Sequence, residues 1–213
     1  MDMAKTLGEA GVIPVIVIDD IEKAVPLARA LVKGGLPVLE VTFRTGCAAE
    51  AIAKIKAEVP GAKLIAGTVL TQRQLVAARE AGAEACVAPG FDPEVVRAAN
   101  ALGMPFCPGV ATASELSQAL ALGCRMVKFF PAESAGGVKY IKDLLGAFRW
   151  TGVKFMPTGG VNLSNVGKYL EVPEIVACGG TWIAPKDAVA SGDWDRIEKL
   201  AAEAAALVKE MRK

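Results

Sequence analysis

Apolar, β-branched runs alternate along the chain with stretches whose apolar residues recur at helical spacing. The runs are VIPVIVI (12–18), PVLEVTF (37–43), KLIAG (63–67), EACVAP (84–89), PFCPG (105–109), RMVKFF (125–130), VKFMPTG (153–159) and EIVACGG (174–180). Their midpoints recur at roughly 23 residues, the length of one strand-plus-helix unit. IEKAVPLARALVKGG has a helical stripe and closes on Gly34-Gly35, a helix stop signal. The pairs Ala81-Gly82, Leu102-Gly103 and Leu122-Gly123 punctuate later helices in the same way. The C-terminal WDRIEKLAAEAAALVKEMRK is an Ala-rich amphipathic helix, and the opening MDMAKTLGEAG is a short polar helix rather than an export signal.

Eight strands, each followed by a helix or a helix-starting loop, predict an α/β fold. The expected form is a (β/α)8 TIM barrel, one catalytic domain over residues 1–213 with a short N-terminal helix. An open doubly wound sheet is the competing architecture. It fits less well because no G-x-G-x-x-G follows the first strand.

Strand parity turns this outline into chemistry. In VLEVTFR, Leu39, Val41 and Phe43 share one face and suit the helix layer, while Val38, Glu40, Thr42 and Arg44 share the other. In a barrel the second face points inward, where branched aliphatics are the ordinary filling. Successive inward residues lie about 6.6 Å apart, so Glu40 falls inside and Arg44 at the C-terminal mouth, where barrel active sites are built. A structural Glu40–Arg44 pair is the plainer reading. Lys128 lies in the apolar strand RMVKFF on the face of Met126 and Phe130, opposite Val127 and Phe129. Lys63 and Lys154 also lie in strands, but near their N-terminal ends, where a side chain escapes through the bottom. An apolar interior disfavours the charged form of an amine, and a free amine attacks carbonyls to form a Schiff base. An internal Lys–Glu ion pair without chemistry is the plainer reading here.

Two glycine pairs, in PTGG (157–160) and CGGTW (178–182), follow the last two strands. Glycine lets backbone N–H groups approach an anion, and the loops after strands seven and eight are the usual phosphate site of this fold. Simple tight turns are the alternative. Glu133, just past strand six, reads as a cap of the next helix, and Trp150 and Trp194 read as packing or surface residues.

Composition narrows the class. Across 213 residues, 53% are hydrophobic, enough for a sizeable core, and 24 Lys+Arg against 23 Asp+Glu leave a net charge of +1. That balance argues against a nucleic-acid partner, and no apolar run is long enough for a membrane helix. Cys47, Cys86, Cys107, Cys124 and Cys178 stand singly with no CxxC, which suits core thiols in a reduced, cytoplasmic protein. The chain has no histidine, which removes the commonest general base and metal ligand, and no metal-ligand cluster is visible.

Taken together, LEVTFRT (39–45), AGTVL (66–70), APG (88–90), VKFFPAE (127–133), GGVKYIK (136–142), PTGGV (157–161) and GGTW (179–182) resemble the bacterial 2-keto-3-deoxy-6-phosphogluconate (KDPG) aldolases, which overlap with the 4-hydroxy-2-oxoglutarate (KHG) aldolases. The resemblance runs in order from about residue 11 to the C-terminus. It implies a metal-free class I aldolase of the Entner–Doudoroff pathway on a (β/α)8 barrel, with no cofactor and a homotrimeric assembly. It further implies that Lys128 forms the Schiff base, that Glu40 is the acid/base, and that Arg44 and Thr68 hold the substrate. Thr68 and Pro89 would line the pyruvate end and Phe130 would wall the pocket. Gly159, Gly160, Gly180 and Thr181 would form the phosphate site. Thr181 stands where serine is common, and Ala111 where serine is frequent in the loop after strand five.

The function so implied is reversible cleavage of KDPG to pyruvate and glyceraldehyde 3-phosphate. The same chemistry on 4-hydroxy-2-oxoglutarate or on the galactonate-derived epimer is the nearest alternative. A phosphosugar epimerase or isomerase, or a non-catalytic phosphate-binding barrel, would keep the phosphate loops but leave Lys128 unexplained.

Overall fold

The computed structural model describes residues 3–212. Met1, Asp2 and Lys213, the outermost residues of the two terminal helices expected from sequence, lie outside the described residues.

Among the described residues, nine parallel strand segments are interleaved with helices, with β5 and β6 following one another directly. In chain order they are α1 (Met3–Ala10), β1 (Val12–Ile16), α2 (Ala24–Lys33), β2 (Val38–Thr42), α3 (Ala48–Glu58), β3 (Lys63–Gly67), α4 (Gln72–Glu80), β4 (Ala85–Val87), α5 (Pro93–Ala101), β5 (Phe106–Cys107), β6 (Gly109–Val110), α6 (Ala113–Ala121), β7 (Met126–Phe129), α7 (Gly137–Phe148), β8 (Lys154–Pro157), α8 (Val166–Leu170), β9 (Cys178–Gly180), α9 (Lys186–Ser191) and α10 (Trp194–Met211). The fifth expected strand is two segments because Pro108, with no N–H to donate, interrupts it. The last expected strand shortens to β9, with Ile175 meeting Phe155 in an isolated parallel bridge. Pro131 follows β7 through a cis peptide bond.

The strands form a curled parallel sheet in two sections. One has the order β5-β4-β3-β2-β1-β9 and the other β6-β7-β8. A parallel bridge between Thr158 and Gly179 joins the sections beside β8 and β9.

The glycine stop signals act through one device. Helices α2, α4, α5 and α6 each end in a glycine at positive φ: Gly35, Gly82, Gly103 and Gly123. The next residue's N–H then reaches back to the carbonyl five positions earlier: Leu36 to Leu31, Ala83 to Ala78, Met104 to Ala99 and Cys124 to Ala119. Each helix is thereby turned back toward the next strand.

Two apolar clusters follow from strand parity. Leu39, Val41, Val127, Phe129 and Phe155 face the helices in the larger cluster. Ile13, Val38, Ile65, Val87, Met126 and Met156 form a smaller cluster on the inner face, and Met3 and Leu7 of α1 pack into it. The N-terminal end of the curl is therefore plugged by apolar side chains, and the polar inward residues lie above that plug.

Candidate active site

Lys128 and Glu40 meet on the inner face. Lys128 Nζ donates to Glu40 Oε1 at 2.9 Å, with the two side chains 2% and 0% exposed. Burying such a pair costs desolvation, so its presence is weak evidence of a stabilising role. Glu40 Oε2 has no hydrogen-bond partner although it is buried. The 2.9 Å bond sets a lysine nitrogen, the atom that imine formation uses, in direct contact with a carboxylate able to carry a proton.

The Glu40–Arg44 pair considered from sequence does not form. Arg44 lies past the end of β2, exposed, and its Nε donates to Thr68 Oγ1 at 3.3 Å. Thr42 is inward and buried, but its hydroxyl donates to the Ile16 carbonyl at 3.0 Å and is spent there.

The room for Glu40 comes from β3. A β-carbon at Gly67 would lie 2.4 Å from Glu40 Oε1 and 2.7 Å from its Cγ, so only a glycine admits the carboxylate. Thr68 follows with φ of 58°, the left-handed region that non-glycine residues seldom occupy. Pro89 borders the same mouth: a β-carbon at Gly109 would fall 2.1 Å from the Pro89 carbonyl carbon. The Phe130 ring centroid is 5.7 Å from Lys128 Nζ, within reach of a cation–π contact.

The two glycine pairs come together. The Thr158–Gly179 bridge sets PTGG beside CGGTW. Gly159 and Gly160 have φ of 100° and 81°, and the Gly160 carbonyl accepts from Asn162 Nδ2 at 3.2 Å and Asn165 Nδ2 at 3.1 Å. Gly180 lies under the Trp182 ring, where a β-carbon would be 1.6 Å from a ring atom, and Thr181 is exposed beside it. Met156 pairs with Lys128 and β8 ends at Pro157, so the Gly159 turn lies past the C-terminal end of the strand beside that of Lys128.

Some residues stand differently from expectation. Glu133 does not cap α7, whose N-cap is Gly136 without a side-chain bond; its carboxylate instead accepts from the Tyr169 hydroxyl. Ala111 offers only its N–H, which goes to Glu115 Oε2 at 2.8 Å in the capping box of α6. Trp150 is exposed and Trp194 packs on the core, as the packing-or-surface reading had it. Gly67, Thr158, Asn162, Asn165 and Tyr169 escaped the sequence reading. Of these, the Asn162/Asn165 spacing after a glycine pair was the one visible signal, because asparagines at such turns bond nearby backbone.

A cavity of about 530 Å³ lies at the opposite end of the strands, lined by Thr6, Gly35, Lys63 and Arg212 among others. Cys107 is buried on the inner face near Lys128 and Glu40, and burial raises its thiol pKa far above the usual range. Among the described residues, no three or more His, Cys, Asp or Glu side chains gather to hold a metal, and no helix is long and apolar enough to cross a membrane.

Comparison with known proteins places this arrangement among relatives. The aldolase family model described as "KDPG and KHG aldolase" matches residues 3–200. A 2-dehydro-3-deoxy-phosphogluconate aldolase of Treponema pallidum is 45% identical over 204 residues, covering 96% of each chain. A crystal structure of KDPG aldolase from Legionella pneumophila, with pyruvate captured at low pH as a covalent carbinolamine intermediate, superposes with a TM-score of 0.91 at 40% identity, covering 95% of this chain and 97% of that one. The 2-keto-3-deoxy-6-phosphogluconate aldolase of Zymomonas mobilis ZM4 with 3-phosphoglycerate gives 0.89 at 46% identity, covering 97% and 96%.

Proposed function

Because the chain belongs to the KDPG and KHG aldolase family, we propose that it is a class I aldolase reversibly cleaving KDPG to pyruvate and glyceraldehyde 3-phosphate, with Lys128 forming the imine. The observation that carries this reading is the Lys128–Glu40 pair buried on the inner face. Neither an isomerase nor a passive phosphate binder calls for a buried amine paired with a carboxylate.

The reaction follows from the geometry. The Lys128 amine attacks the C2 carbonyl, and the resulting carbinolamine loses water to give an iminium. A base removes the C4 hydroxyl proton, the C3–C4 bond breaks, and its electrons move into the iminium to form an enamine. The aldehyde leaves, a proton is delivered to C3, and water releases pyruvate from the lysine. Glu40 is the proton carrier, because it is in hydrogen-bond contact with Lys128 and the chain offers no histidine. The iminium is the electron sink, so the cleavage needs neither metal nor cofactor.

Arg44, Thr68 and Pro89 receive the pyruvate carboxylate end at the mouth, with Phe130 as wall. Gly159, Gly160, Gly180 and Thr181 take the phosphate, supported by their juxtaposition at the C-terminal ends of β8 and β9. The two sheet sections belong to one eight-stranded (β/α)8 barrel. Support for closure comes from the β8–β9 bridges and from β5 and β6 being one strand interrupted at Pro108. The whole chain is then one catalytic domain, working as a cytoplasmic homotrimer as its family resemblance implies. Cleavage of 4-hydroxy-2-oxoglutarate is a second reading, favoured by the family model's own scope; it uses the same pair and leaves the glycine turns idle.

Borohydride added with pyruvate tests the assignment. Inactivation with a stable adduct at Lys128 is expected, and an adduct at another lysine, or none, overturns it.

A further inference from the structure

The motif GGVKYIK and the residue Glu133 have so far been given no part in the reaction, yet they converge on the Gly159–Gly160 turn. Beyond the end of the β7–β8 ladder, Ala132 N–H donates to the Thr158 carbonyl at 2.8 Å and Glu133 N–H to the Gly159 carbonyl at 3.0 Å. A β-carbon at Gly160 would lie 2.7 Å from both Cβ and Cγ of Glu133, so the glutamate stem lies flat against that glycine. The Glu133 carboxylate accepts from the hydroxyl of Tyr169 on α8. Tyr169 is 1% exposed and belongs to the larger core cluster, so it is a fixed post. Burial first, and then the bond to Glu133, raise its phenol pKa, which keeps it a donor.

A β-carbon at Gly137 would lie 3.3 Å from Glu133 Oε1 and 3.4 Å from the Tyr169 hydroxyl, so the glycine at the start of GGVKYIK leaves the space in which the two meet. Asn162 and Asn165 both donate to the Gly160 carbonyl. The turn is thus gripped through both its side-chain-free face and its carbonyl. In addition, the one carboxylate packed on it is tied to a tyrosine.

We infer that Tyr169 and Glu133 are a positioning pair that fixes the Gly159–Gly160 turn for the phosphate end of the substrate. This rests on the phosphate-end reading given above. The pair acts through the turn and touches neither the amine nor the reacting carbons. Its loss weakens recognition of the phosphoryl group and leaves the chemistry at Lys128 in place.

The test is a KM-against-kcat split with phosphorylated and unphosphorylated 2-keto-3-deoxygluconate. Tyr169→Phe keeps the ring and removes the donor. It should raise KM for the phosphorylated substrate about ten-fold with kcat little changed, and leave kcat/KM for the unphosphorylated one within about two-fold. Glu133→Ala should match it. Glu133→Gln, whose carboxamide oxygen still accepts from Tyr169, should recover most of the lost affinity. Thr181→Asp, run alongside, opposes the phosphate directly. If Thr181→Asp raises KM selectively for the phosphorylated substrate while Tyr169→Phe and Glu133→Ala do not, the positioning role is wrong and the phosphate site stands. If none of the three distinguishes the two substrates, both inferences are overturned. Equal losses on both substrates from Tyr169→Phe would also refute the role, by showing general disruption.

Discussion

Gly67→Ala puts a single methyl group against the carboxylate of Glu40 and alters neither member of the buried pair. The added carbon would start 2.4 Å from Glu40 Oε1 and 2.7 Å from Cγ, whereas ordinary contact begins near 3.4 Å. Gly67 is not among the positive-φ residues, so the backbone itself accepts alanine. Relief therefore requires the carboxylate to retreat by about 1 Å, judged from the ordinary spacing of a close-packed interior. Retreat along the hydrogen-bond axis would stretch the 2.9 Å bond to Lys128 beyond bonding distance. Misplacement of a catalytic group by about 1 Å costs about 10²-fold in rate, or about 2.7 kcal/mol of transition-state stabilisation. Overpacking costs roughly 1–3 kcal/mol of stability, which a domain stable by about 5–15 kcal/mol survives. The assay is pyruvate release from KDPG alongside a thermal melt and borohydride trapping. A folded enzyme, still trapped by pyruvate but slowed about 10²-fold, is expected. A folded variant cleaving within about two-fold of the parent would refute the reasoning, since the carboxylate's position would then be immaterial.

Two further outcomes follow. Glu40→Gln should still form a trappable imine, lose cleavage by about 10²–10⁴-fold, and stop exchanging the pyruvate methyl protons with deuterated solvent; exchange at the parent rate would assign the proton shuttle to another group. Glu115 faces some burial, but bonds from the Ala111 and Thr112 backbone and the Thr112 hydroxyl hold its carboxyl below the usual range. With the folded pKa depressed, its stabilisation is present above the unfolded value near 4.5 and is lost as pH falls through the folded one. Glu115→Ala should therefore cost about 1 kcal/mol in a neutral-pH melt and progressively less at more acidic pH; a cost that grows on acidification would contradict this.

How far the sequence could be read depended on whether a feature is periodic or arises from closure. The period of two in VLEVTFR and MVKFF put Glu40 and Lys128 on the inward faces, and the structure has both there, at 0% and 2% exposure. The glycine pairs that end helices were legible because the stop device is local. The partner of Glu40 was legible as two alternatives, Arg44 four residues away and an internal pair with Lys128, and the structure forms the second, across 88 positions, where the sheet curls. Gly67 had no reason to stand out in KLIAG, because its necessity lies in the approach of a side chain from the neighbouring strand. Tyr169 likewise reads as a core aromatic until Glu133 arrives from another loop. The break inside the fifth strand was missed because Pro108 removes a ladder donor, an effect that hydrophobic pattern does not register.

The vertical arrangement of the inner face explains how a buried charge pair is tolerated at all. Below it, Ile13, Val38, Ile65, Met126 and Met156 close against Met3 and Leu7 of α1, a wholly apolar plug. That plug contributes burial without hydrogen-bond obligations, so the strands' lower halves stabilise the sheet. Their upper halves carry the groups that cost desolvation: Glu40, Lys128 and the unpartnered Thr158 hydroxyl. A pair placed lower, among the methionines, would have no route to a substrate. A pair placed higher, level with Arg44, would be hydrated, and its amine would lie exposed like the surface lysines. The position of Lys128, one residue before the end of β7, lies between these limits. It is buried from water and still close to the C-terminal end of its strand.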